Sequence, residues 1–254
     1  MRSEQIYLSV VMPGYNEAKC VKHNIIQTME TIKSLNRNFE IIFVDDGSTD
    51  HSLSEASSLL TSYSNLIVVG SEKNMGKGNA LKLGVAAANG ECIAFLDADL
   101  DISPIQILNY LDILSANSAD AVIASKFHKE SQLHYPLLRR LMSYGYFLFL
   151  FLMFQLDLKD TQTGLKVFKA TPLKRIFPYV KVNRFAFDIE ILVLLKKCNY
   201  IVMDAPVKIR FARGRKWGRI KLIDILNVFT DTVGVFLRFY FLKSYDGLLV
   251  KSEV

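Results

Sequence analysis

The chain has 254 residues, half of them hydrophobic, with a formal net charge of +6 and a mean hydropathy of +0.20. That length can bury a substantial core as one large domain with or without a C-terminal extension, and such a hydropathy without an obvious membrane span hints at apolar surface that the fold alone does not need. Cys20, Cys92 and Cys198 are few, odd in number and far apart, which argues against a disulfide framework or a zinc site and for reduced thiols. The basic balance points to an anionic partner: nucleotide phosphate, anionic lipid or nucleic acid. The first residues pass from a charged start straight into a strand and a turn with no signal-peptide pattern, so a cytoplasmic location is expected.

Residues 6–12 read as a first strand ended by Pro13 and Gly14, with Asn16 capping a helix that buries Ile25, Met29 and Ile32. Residues 39–44 form a second strand, stopped by Asp45, Asp46, Gly47 and Ser48, after which Thr49 or Asp50 caps another helix. A third strand at 66–69 leads through a loop at 71–78 into a helix carrying Leu81, Leu83 and Val85. The fourth strand, 93–96, ends in Asp97, Asp99 and Asp101. Alternating strands and helices argue for an α/β fold with a doubly wound, mainly parallel sheet. The polar clusters after each strand then share the crevice at the carboxyl edge, where such sheets keep their ligands.

Three acids at alternate positions repel one another unless a cation lies between them, and carboxylate oxygens suit Mg²⁺ or Mn²⁺. The dinucleotide fingerprint is missing after the first strand, and the Gly76-Lys77-Gly78 stretch lacks the spacing and the Ser/Thr of a Walker loop. Both NAD binding and P-loop hydrolysis are disfavoured.

PGYNE at 13–17, VDDGSTD at 44–50, NMGKGNA at 74–80 and DADLD at 97–101 together resemble the ordered signatures of family 2 glycosyltransferases of the GT-A fold. Within that family the chain is most similar to the polyprenyl-phosphate hexose synthases, which include dolichyl-phosphate mannose and glucose synthases, over residues 6–220. The resemblance implies a nucleoside diphosphate sugar donor, UDP-glucose or GDP-mannose. Pro13, Tyr15, Glu17, Val44 and Asp46 would surround its base and ribose, with Lys77 also near the nucleotide. Asp97 and Asp99 would hold Mg²⁺ or Mn²⁺ on the diphosphate with Ala98 packed against it, and Asp101 stands as a further metal ligand.

In the second half, residues 121–125 form another strand with Lys126 just beyond it, where the relatives carry an Arg and where a cation can neutralise phosphate. Residues 136–158 carry Arg139, Arg140 and Ser143 before an apolar run at 144–156, which is too short for a bilayer that needs roughly 20 residues. By resemblance Arg139, Arg140 and Ser143 grip the phosphate of a lipid acceptor, Arg139 aligning it for reaction, while the aromatic run meets the membrane surface. The segment DTQTGLKVF at 160–168 corresponds to the part of the family that closes over sugar and acceptor, with Gln162 and Thr163 nearer the glucose-type version. Asp188, in FDIE at 187–190, is either a helix N-cap or a shaper of the acceptor site.

Between 208 and 221 there are seven Lys or Arg and no acid. Nucleic-acid contact would be the generic reading of that run, but it leaves the four motifs unexplained. Arg210, Gly214 and Lys216 match the family's cationic lid over the donor diphosphate, with Arg215 where a Ser is usual. Residues 222–242 carry Asp224, Asp231 and Arg238 seven apart on one stripe, with Asn227 and Gly234 between. Such a helix lies in an interface or packs on protein more readily than it crosses lipid.

The resulting expectation is a catalytic domain over 1–220 followed by an amphipathic interface helix and tail over 221–254. The protein would be peripheral on the cytoplasmic face of a membrane, with a membrane-protein partner possible and no nucleic acid. It would move glucose or mannose to a polyprenyl or dolichyl phosphate with inversion. The rival readings are transfer to a polysaccharide or protein hydroxyl, with Asp188 or Glu190 as base, and a non-catalytic sugar-nucleotide-binding subunit of a membrane complex.

Overall fold

The computed structural model describes residues 5–132, 137–156, 158, 160–210 and 222–250, without the side chains of 137–143, 222–225, 249 and 250. Strand β1 (Leu8–Gly14) pairs in parallel with β2 (Phe39–Asp45) and with β4 (Cys92–Phe95), and β2 pairs in parallel with β3 (Leu66–Gly70). Helices α1 (Val21–Lys33), α2 (Ser52–Ser57) and α3 (Lys77–Ala87) make the connections. This half follows the alternation expected from the sequence. The strands are rich in Val, Ile and Phe and covered on both faces, as parallel sheets require. Along β1, Val11 belongs to one core cluster while Leu8, Val10 and Met12 belong to the other.

Helix α4 (Gln106–Ala116) leads to β5 (Ala121–Ser125), and the long helix α5 (Leu137–Phe154) follows. The chain then enters β6 (Lys166–Lys169), which inserts antiparallel between β4 and β5. Helix α6 (Ala170–Ile176), helix α7 (Phe187–Lys197) and strand β7 (Val202–Pro206), parallel to β5, complete the sheet. Its order among the described residues is β3-β2-β1-β4-β6-β5-β7. The mainly parallel α/β sheet is as expected, and the reversed β6 is the feature that patterning did not reveal. Because β6 runs backwards, Lys166 pairs with Phe95 at the carboxyl end of β4, so the turn at 160–165 arrives at the same edge as Asp97.

Some local expectations need correction. Asn16 does not cap α1, which starts at Val21 without a side-chain cap; Asn16 instead adopts a left-handed φ of 56°. In that conformation its Oδ1 accepts hydrogen bonds from the Thr49 N–H (2.9 Å) and hydroxyl, a local use of the Asn side chain that outcompetes a cap five residues away. Neither Thr49 nor Asp50 occupies the N-cap position of α2, which is His51. Asp50 still serves that helix start, accepting from the Ser52 N–H at 2.9 Å.

Helix α8 (Leu222–Tyr240) packs on α5 and α7, followed by the short α9 (Gly247–Val250). Phe149 stacks on Phe229 with ring centroids 4.9 Å apart, and Tyr146 shares a hydrogen bond with Thr232 (3.1 Å). The polar stripe of α8 faces protein: Arg184 pairs with Asp231 at 3.1 Å, and the Arg238 guanidinium donates to the Tyr245 hydroxyl at 2.9 Å beside buried Glu190. Its outer face is apolar, with Leu226, Phe229 and Leu237 exposed, and Phe241 and Leu242 follow at 69% and 67% exposure. Among the described residues no helix is long and apolar enough to cross a membrane.

Candidate active site

The carboxyl ends of β1, β2 and β4 and the loop before α3 are joined by hydrogen bonds. The backbone N–H groups of Asn16 and Glu17 donate to the hydroxyls of Ser48 (2.9 Å) and Ser52 (2.7 Å). Tyr15 is exposed beside them, Glu17 is buried, and Pro13 and Val44 pair in register. Asp46 is buried, and its carboxylate accepts the N–H groups of Met75 (3.0 Å) and Gly76 (2.9 Å). Burial pushes its pKa up, and those two bonds oppose the rise. Asp46 therefore holds the glycine loop in place. The approach is close enough that a Cβ at Gly47, with φ +69°, would lie 2.2 Å from the Lys73 carbonyl carbon.

Gly76, at φ +99°, turns the chain into α3 and so delivers Lys77, the first residue of that helix. The Lys77 ammonium lies 2.5 Å from Asp97 Oδ1. Burial alone would lower the Lys77 pKa, but Asp97, Asp188 and Asp99 together raise it, so the ammonium stays charged. Asp97 is itself partly open to solvent. Ala98 is buried and tied down, accepting from Asn24 Nδ2 at 2.7 Å and donating its N–H to the Pro13 carbonyl at 3.3 Å. Asp99 Oδ1 accepts the Asp101 N–H at 3.2 Å. Among the described residues no three carboxylate, imidazole or thiolate side chains converge as a preformed metal cage. The donor set still suits a hard cation bound together with substrate phosphates, which needs only one or two carboxylates.

The turn at 160–165, ahead of β6, also meets Asp97. A Cβ on Gly164 would lie 2.1 Å from Asp97 Oδ2, so only glycine lets this turn press against the carboxylate. The turn is built on Asp160, whose oxygens accept the Lys126 N–H (2.8 Å), the Gln162 N–H (3.1 Å) and the Thr163 hydroxyl (2.5 Å). The Lys126 ammonium stands 3.5 Å from the same carboxylate. Lys166, almost wholly buried, donates to Asp188 Oδ1 (2.6 Å) and the Thr163 carbonyl (2.7 Å). Burial pushes the Asp188 carboxyl up, opposed by the ammonium groups of Lys166 and Lys77. The N-cap reading of Asp188 is thus corrected: Ala186 occupies that position, and Asp188 is the counter-ion of Lys166.

Arg210 comes to the acidic stretch through its backbone, its N–H donating to the Asp101 carbonyl at 2.8 Å. The side chains of Arg139, Arg140 and Ser143, and all of Lys216, lie outside the described residues. Sequence reading missed Gly164, Lys166 and the anchoring role of Asp160. One signal was present: Lys166, set between Leu165 and Val167, demands a partner if it is buried with them.

Residues 9–177 match the family description "Glycosyl transferase family 2". The chain belongs to that family. Among family 2 glycosyltransferases, it is 30% identical over 239 residues to a dolichyl-phosphate beta-glucosyltransferase of Trichomonas vaginalis, covering 88% of this chain and 73% of that one. It is 31% identical over 223 residues to a dolichyl-phosphate beta-glucosyltransferase of Dictyostelium discoideum, covering 80% of this chain and 66% of the relative. A solved glucosyl-3-phosphoglycerate synthase of Mycobacterium tuberculosis, in complex with Mn²⁺, UDP-glucose and phosphoglyceric acid, superposes with a TM-score of 0.66 at 17% identity, covering 91% of this chain and 79% of that one. The shared fold is GT-A, as the motifs implied.

Proposed function

We propose that this family 2 glycosyltransferase moves glucose from UDP-glucose to a polyprenyl phosphate of the dolichyl type, with inversion at the anomeric carbon. The observation that carries this reading is the meeting at Asp97 of the glycine-loop lysine, Lys77, and the acceptor-side turn at Gly164. Donor and acceptor halves thereby share one carboxylate. That both relatives above are glucosyltransferases favours glucose over mannose.

A phosphate monoester is already anionic near neutral pH, so positioning and charge neutralisation carry most of the catalysis and no dedicated base is required. The two carboxylates that a hydroxyl acceptor would need as base are both engaged. Asp188 is paired with Lys166, and fully buried Glu190 accepts from the Lys181 and Val182 N–H groups and the Tyr245 hydroxyl. Asp97 and Asp99, with Asp101 beside them, would hold Mg²⁺ or Mn²⁺, which when bound offsets charge on the diphosphate. Lys77 exchanges Asp97 for phosphate oxygens as the donor arrives. Tyr15 offers an open ring to the base, Asp46 and Glu17 frame the ribose side, and Arg139, Arg140 and Ser143 take the lipid phosphate. Arg210 and Lys216 close over the donor.

Purified protein given radiolabelled UDP-glucose, polyprenyl phosphate and Mn²⁺ should yield lipid-extractable glucose, with GDP-mannose inactive and EDTA abolishing the signal until metal is restored. Absence of labelled lipid from UDP-glucose would refute the reading.

A peripheral membrane placement is supported by the outer faces of α5 and α8, where Leu148, Leu152, Phe229 and Leu237 are exposed, and by the basic composition of 208–221 just before α8. Apolar burial plus attraction to anionic lipid is the physical basis of such attachment. Leu152→Asp, at a position 73% exposed, should reduce cosedimentation with anionic liposomes at least fivefold while leaving the thermal midpoint unchanged.

A further inference from the structure

We propose that the side-chain amide of Gln162 binds the acceptor, donating its Nε2–H to a non-bridging oxygen of the phosphate monoester. The inference rests on the polyprenyl-phosphate reading above and adds a specific group to it.

The backbone around Gln162 is held rigidly. Asp160 takes the Gln162 N–H and the Thr163 hydroxyl, and the Lys166 ammonium takes the Thr163 carbonyl. On this fixed turn the Gln162 Nε2 is buried and, among the described residues, has no hydrogen-bond partner. A buried amide donor left unpaired is costly, and in native proteins it calls for a specific explanation.

Gln162 lines a cavity of about 40 Å³ together with Lys126, Phe127, Tyr146, Phe147 and Leu150. That volume holds a small polar group and no sugar ring. Its polar side offers the Lys126 ammonium and the Gln162 amide N–H, with Thr161 and the Asp160 carboxylate also in the lining. The Asp160 carboxylate at its edge is already taken up by the Lys126, Gln162 and Thr163 bonds. Its other side is aromatic and aliphatic, made by Phe127 after β5 and by Tyr146, Phe147 and Leu150 of α5, whose outward face carries the exposed Leu148 and Leu152.

An ammonium and an unpaired amide donor on one wall with hydrocarbon on the other match an anionic head on an apolar chain. The cavity is also close to the chemistry, since Gln162 lies two residues from Gly164, a separation of at most about 7 Å between Cα atoms, and Gly164 abuts Asp97.

The test uses the full chain with farnesyl phosphate as probe. Calorimetry of wild type with farnesyl phosphate in the presence of UDP should show saturable binding, and uncharged farnesol should bind at least tenfold more weakly. Gln162→Glu keeps the length of the side chain and puts an anion where the donor was. Gln162→Met keeps the length without charge or donor and guards against misfolding of the first variant. Both should raise the acceptor KM at least tenfold, the Glu variant more than the Met variant, with the UDP-glucose KM within twofold of wild type. Farnesyl phosphate binding should weaken in parallel. Failure of wild type to bind farnesyl phosphate would refute the acceptor reading itself. Wild-type binding that both variants reproduce, or equal rises in both KM values, would overturn the role of Gln162 alone.

Discussion

Asp188→Ala should lower the unfolding free energy by about 3–5 kcal/mol, measured as a fall in the urea midpoint at constant slope. The reason lies in Lys166, which is 2% exposed within β6, between β4 and β5. Its ammonium is held by the Asp188 carboxylate and the Thr163 carbonyl. Without the carboxylate, a cation stays in the core with one neutral partner, and that desolvation is uncompensated. The pair itself need not be strongly stabilising, because both ions leave water to form it. Lys166→Met combined with Asp188→Ala should therefore recover much of the lost midpoint. It should not restore transfer, since the Thr163 carbonyl loses the donor that holds the turn beside Asp97. An Asp188→Ala midpoint within 0.5 kcal/mol of wild type would mean that Lys166 finds another partner.

Gly164→Ala should cut transfer by about 10²-fold, the scale expected when a reacting geometry is displaced by about 1 Å, with little loss of stability. The added Cβ would stand 2.1 Å from Asp97 Oδ2, so something must yield. The contacted atom is the end of a side chain, and Asp97 can rotate more cheaply than the β6 turn can move. Rotation withdraws the carboxylate from Lys77, 2.5 Å away on the other side. The defect should therefore appear in kcat with the thermal midpoint preserved, and UDP binding by calorimetry should weaken only mildly. Wild-type kcat in this variant would show that the Asp97 orientation seen here is not the working one.

These two predictions differ in how far the sequence could foresee them. Asp97, Lys77 and Asp46 were legible because each sits in a polar cluster that interrupts an apolar strand pattern, and clusters following parallel strands must emerge at one edge. Membership of glycosyl transferase family 2 was legible for the same reason: the four signatures are local strings in a set order. Gly164 carried no such local mark, and Lys166 carried only that of a charge between apolar neighbours. Their importance comes from contacts across the sheet, with Asp188 and with Asp97, that no periodicity encodes.

Helix α8 makes the same point on a larger scale. Its polar residues seven apart were visible as a stripe, and its length could be read from the pattern. Which side of that stripe meets protein was decided by Arg184 and Glu190, which supply partners for Asp231 and Arg238 and so leave the greasy face outward. A cap at Asn16 is what its neighbours in sequence imply, whereas its side-chain bonds run to Thr49, 33 residues further along the chain.

By itself, then, the order of residues determined the element types of the first half, the α/β class, the family and the acidic edge, since all of these depend on spacing along the chain. Only the tertiary structure decided the reversal of β6, the delivery of Gly164 and Gln162 to that edge and the pairing of Lys166 with Asp188. Those features depend on which distant segments share a strand boundary or a dry interior, and burial, not spacing, selects them.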